Sequence, residues 1–137
     1  MIWPEQTDRL ARLRASIKIA AEQKLRLVKG DLRTDLAALA REAPKDATLV
    51  IFHTAVLAYV SSAAEREEFA RSVALLCDFW IANEMPPVFP DIARRAGREG
   101  PRGSFLLSVN GTPMAWVDPH GAWLDTIGRP ESTGILG

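Results

Sequence analysis

Three residues could do chemistry because each stands where an apolar run gives out. TLVIFH, residues 48 to 53, ends on His53, and WIANE, residues 80 to 84, ends on Asn83 and Glu84. LRLVKGD, residues 25 to 31, ends on Gly30 and Asp31. An imidazole or a carboxylate at such a point can act as a general acid or base. Each also has a structural reading. His53 is equally a buried, hydrogen-bonded residue, Glu84 a salt-bridge partner and Asp31 a helix N-cap. Asp118 and His120 flank a tight turn, which Asp118 would cap. Two histidines and one cysteine, Cys77, are too few for a zinc site, and a lone cysteine allows no internal disulfide. Cys77 reads as inert core.

Elements must carry these residues to one place. Residues 5 to 23 read as a helix, with Leu10, Leu13 and Ile17 on one side and Pro4 at its first turn. Arg9, Arg12, Arg14 and Lys18 form a solvated face or a phosphate site. LRLVK at 25 to 29 is expected to be a strand, and DLRTDLAALAREA after it a helix. TLVIFH is apolar without alternation, which predicts a central parallel strand buried on both faces. Ser61 or Ser62 would cap the next helix, with Glu65 completing a capping box on Ser62. DFWIANE is then a third strand. The pattern over 25 to 84 is thus β-α-β-α-β, for which parallel strands with crossover helices are expected. Ligands in such sheets sit outside the carboxyl ends of the strands, where Asp31, His53 and Glu84 stand.

After Glu84 the pattern breaks. Residues 85 to 103 hold four prolines and three glycines, a long loop with one helical turn at 91 to 96. Arg94, Arg95, Arg98 and Arg102 lie in it, either solvated or gripping an anion. FLLSV, MAWVD and AWLDTI then form an antiparallel meander, turned at Asn110-Gly111 and at Pro119-His120-Gly121. The four tryptophans read as packing residues.

Composition excludes more than it assigns. The 137 residues suit one domain, taken here as residues 1 to 128, with a flexible tail from 129. Seventeen basic residues balance seventeen acidic ones, so no field favours nucleic acid or an anionic membrane. No run approaches 18 apolar residues and no signal peptide is present, so cytoplasm is the expectation. Before residue 97 the only glycine is Gly30, which leaves no phosphate-binding or dinucleotide loop. The nucleophile elbow of a serine hydrolase is absent too.

Five blocks carry a resemblance. WPEQTDRLARLRASI at 3 to 17, VKGDLRTDLAAL at 28 to 39, TLVIFHTAVLAYV at 48 to 60, WIANE at 80 to 84 and WVDPHGAWLDTI at 116 to 127 resemble an uncharacterised bacterial family, domain of unknown function 2332. The resemblance implies that this chain corresponds to the carboxyl-terminal part of longer members. Those members look like class I S-adenosylmethionine-dependent methyltransferases. The implied fold is a partial Rossmann-like, methyltransferase-like three-layer sandwich, the β-α-β-α-β run followed by the meander. By that resemblance Asp31 and Leu32 fall where an acidic residue meets the cofactor's adenine, and His53 and Glu84 become the catalytic candidates. S-adenosylmethionine would then bind only a full-length domain, and none is expected on this chain. A sheet lacking its first strands has exposed edges. Strands 25–29 and 48–53 should then pair with each other, or a homo-oligomer should form through those edges. A non-catalytic interaction module is the other reading.

Overall fold

A computed structural model describes residues 5–23 and 25–128. Trp3, Pro4 and the tail from 129 lie outside the described residues. The chain divides into two compact units, Met1–Asp31 and Leu32–Gly137.

In the first unit, α1 (Thr7–Ala21) occupies most of the expected helix, with Asp8 in its positive first turn and Lys18 in its last. Residues 25 to 29 do not form the expected strand, and Leu25, Leu27 and Val28 are exposed. The anticipated pairing with residues 48–53 is therefore not made. An apolar, alternating pentapeptide has no stability as a strand without a filled hydrogen-bond ladder beside it.

In the second unit, α2 (Leu36–Ala40) is shorter than the helix expected from residue 31. Its N-cap is Asp35, and the Thr34 hydroxyl donates to Asp35 Oδ1 at 3.1 Å. That local bond competes with helix extension toward Asp31. Beyond it lie β1 (Val50–Thr54), α3 (Ala63–Val73) and β2 (Phe79–Glu84). β1 and β2 are parallel, with α3 as the crossover that parallel strands require. Ser62 caps α3 as expected, its hydroxyl accepting the Glu65 amide at 3.3 Å. The long loop contains α4 (Pro90–Arg95), where a helical turn was expected.

β3 (Phe105–Val109), β4 (Thr112–Val117) and β5 (Leu124–Thr126) complete the meander. The result is a mixed α/β fold with an open five-stranded sheet, ordered β1-β2-β3-β4-β5. The turn between β3 and β4 uses Asn110 and Gly111 at φ 48° and 72°, the left-handed pair such a tight hairpin demands. Asn110 also ties the hairpin to β2. Its Oδ1 accepts the Trp80 amide at 2.7 Å, and its Nδ2 donates to the Asp78 carbonyl at 3.2 Å.

One expectation for β1 is corrected. It is parallel, but it is an edge strand rather than a central one. Its residues alternate in burial, with Val50 and Phe52 outward at 44% and 74% exposure. Among the described residues nothing pairs with its outer side, so its unbroken apolar sequence is only half used. The inward face of the sheet carries His53, Trp80, Ala82, Leu106 and Trp116. Phe69 and Val73 of α3, Ile92 of α4 and Leu57 close the core over it.

Candidate functional site

The inward alternation of β1 and β2 brings His53 and Glu84 to the same end of the sheet. His53 pairs in register with Ala82, two residues before Glu84. The His53 Nδ1 lies 2.8 Å from Glu84 Oε1, and both side chains are buried, at 8% and 3% exposure. Sequence reasoning placed both at strand ends, and the structure brings them together.

The other ring nitrogen is also engaged. Trp80 Nε1 donates to His53 Nε2 at 2.9 Å. An indole nitrogen can only donate, so Nε2 accepts and Nδ1 carries the proton it gives to Glu84. Phe69 stands edge-on to the imidazole at a centroid distance of 5.5 Å. Trp80 was read from the sequence only as packing. The signal that could have found it is that a buried tryptophan needs an acceptor for its N–H, and His53 is a neighbour on the same face.

Glu84 does more than hold the histidine. Its Oε1 also accepts the amides of Val56 and Leu57 at 3.0 and 3.1 Å. Burial pushes the Glu84 carboxyl up, but the bonds from His53, Leu57 and Val56 outweigh it and hold the group below its ordinary value. The carboxylate therefore organises the turn that leaves β1. Oε2 is buried with no hydrogen-bond partner among the described residues. A void of about 10 Å³ borders Glu84 and Ser108, which is the space of a single water.

That turn is strained. Ala55 has φ 52°, and its amide donates to the Asn83 carbonyl at 3.0 Å. The left-handed region costs a residue with a Cβ about 1–2 kcal/mol, whereas glycine costs about 0.5–1 kcal/mol in lost freedom. Ala55→Gly is therefore expected to stabilise the protein by about 0.5–1 kcal/mol, seen as a melting temperature raised by roughly 2–3 °C.

The remaining sequence candidates disperse. Asp31 is exposed at the end of the first unit and does not cap α2. Leu32 is partly buried and packs against the core of the second unit. Asp118 caps its hairpin as expected, with Oδ1 accepting the amides of His120 and Ala122 at 2.8 and 3.2 Å. His120 is exposed there. Cys77 packs against the core, its thiol donating to the Val73 carbonyl at 3.3 Å, and burial pushes that thiol up. Of the loop arginines, Arg94 pairs with Asp91 and Arg98 with Asp125. Arg95 donates to the Gly111 carbonyl at 2.7 Å, tying α4 to the hairpin. Among the described residues no helix is long and apolar enough to cross a membrane.

The arrangement holds a loop through a buried ion-and-imidazole network with no free ring nitrogen. A family described as "Uncharacterized protein conserved in bacteria (DUF2332)" matches residues 1–126. No curated protein and no solved structure matches the chain.

Proposed function

The chain belongs to the bacterial DUF2332 family, and from that premise we propose that it forms the carboxyl-terminal part of a methyltransferase-like sheet, without catalytic competence of its own. Its role here is to add its sheet to another through β1. The observation that carries this reading is the outer edge of β1. Phe52 stands 74% exposed beside a ladder unpaired among the described residues, while the neighbouring His53 is locked inward. An edge of that kind is a template for strand addition. In the isolated chain the added strand comes from a second copy.

The residues present do not suit a methyl donor. The Leu32 side chain packs into the core, and no strand delivers Asp31 to a carboxyl end. His53 and Glu84 are spent on each other and on the turn after β1. We assign them as positioning residues that set the shape of the strand ends.

Sedimentation over a range of concentrations tests the pairing. The wild-type chain is expected to self-associate, and Phe52→Lys to weaken that association by about tenfold or more while melting normally. A wild-type chain that stays monomeric throughout overturns the reading. Calorimetric titration with S-adenosylmethionine is expected to give no binding heat, and tight binding would sink the claim of incompetence.

A further inference from the structure

A second region, which shares Met85 and Pro86 with the Glu84 void, has the form of a small-molecule site. It is a cavity of about 540 Å³ that opens where β2 ends, walled by Met85 and Pro86 on one side and Trp116 of β4 on another. A cavity of this size accepts a small organic ligand. It also lies at the carboxyl end of a parallel strand, where ligands bind in sheets of this kind.

The loop after α4 closes the cavity and depends on Gly100. A Cβ at Gly100 would clash with Cδ2 and Cε3 of the Trp116 ring and fall 2.6 Å from the Ser104 hydroxyl. The absence of a side chain lets the loop approach the indole closely. This arrangement brings Arg94, Arg98 and Arg102 to the rim of a largely apolar space.

Two of these guanidinium groups have carboxylate partners, but the pairs are exposed. Arg98 and Asp125 are 43% and 50% exposed at 2.7 Å, and Arg94 and Asp91 are more exposed still. Exposed pairs of this kind contribute about 0–1 kcal/mol, so a ligand anion can compete for either arginine at little cost. Glu99 lines the same cavity and limits how much negative charge it tolerates. The balance favours one negative charge on an apolar body over a compact dianion such as phosphate.

We propose that this cavity binds an apolar monocarboxylate, its hydrocarbon part against Met85, Pro86 and Trp116 and its carboxylate on Arg98 and Arg102. A planar guanidinium matches a carboxylate with two parallel hydrogen bonds. The site is independent of the β1 edge, so either proposal can fail alone.

The test titrates the whole chain, followed by amide and indole NMR shifts, with 3-phenylpropionate, its neutral amide and inorganic phosphate. The acid is expected to shift Met85 and the Trp116 indole, and to bind at least about tenfold more tightly than the amide. Phosphate is expected to leave those signals in place. The double variant Arg98→Ala, Arg102→Ala should lose about tenfold for the acid and nothing for the amide. Equal binding of acid and amide overturns the proposal, as does binding that survives the double variant. Phosphate displacing the acid, or no acid binding at millimolar concentration, overturns it as well. An unchanged amide fingerprint elsewhere verifies that the double variant is folded.

Discussion

Glu84→Ala is expected to cost the fold about 3–5 kcal/mol, because it leaves three donors without their acceptor at about 1–3 kcal/mol for each that stays unsatisfied. The size follows from what the carboxylate holds. Without it, His53 Nδ1 and the amides of Val56 and Leu57 all lose their acceptor. Glu84→Gln keeps one oxygen acceptor and should cost much less, which separates hydrogen bonding from charge. The charge shows in the pH dependence. The Glu84 carboxyl is held below its ordinary value of 4.5 in the folded protein. The native state therefore binds the proton less readily than the unfolded chain. Glu84 contributes this stability fully above the unfolded value, and it is lost as pH falls through the lowered one. Urea midpoints should drop between neutral pH and acid for the wild type, and drop less for Glu84→Gln. Equal acid sensitivity of the two proteins would contradict this account.

Gly100→Ala is the second large effect. The added methyl overlaps the Trp116 ring, and neither the strand backbone nor the buried indole can move far. Overpacking of this sort costs about 1–3 kcal/mol. Thermal unfolding should show a melting temperature lower by roughly 3–10 °C. The loop would lift from Trp116, so carboxylate binding should weaken with it. A melting temperature unchanged by the substitution would mean that the loop does not lie on the indole as described.

Legibility in the sequence followed the range of the interactions involved. The helix over Thr7–Ala21, the Ser62 cap, the Asn110-Gly111 turn and the strand Phe79–Glu84 rest on local rules, and all were readable. LRLVK was misread because its apolar content is that of a strand, but a strand exists only with a neighbour. The sequence carries no mark of whether one is there. TLVIFH was misplaced for the same reason. Its composition says that both faces are apolar, whereas burial depends on what packs against Phe52. At the candidate site, His53 and Glu84 were legible as polar residues ending apolar runs. Their mutual hydrogen bond was not, since it depends on the β1–β2 register. The part played by Trp80 was hidden because tryptophan reads as bulk.

The strand order carries a kinetic consequence. Four of the five strands, β2 to β5, follow one another in chain order as antiparallel neighbours. Contacts among β3, β4 and β5 are short in sequence, whereas β2 meets β3 across 22 to 28 residues and is held to it by Asn110 as well. β1 reaches its partner only across the whole α3 crossover, with about thirty residues between paired positions. Both long closures cost more than the hairpins of the meander, and β1 can dock only once β2 is in place. Folding is therefore expected to start in the meander and add β1 last. In native-state hydrogen exchange, the β1 amides should open first and independently of β3 and β4. The segment that presents the exposed edge would then also be the one most easily released.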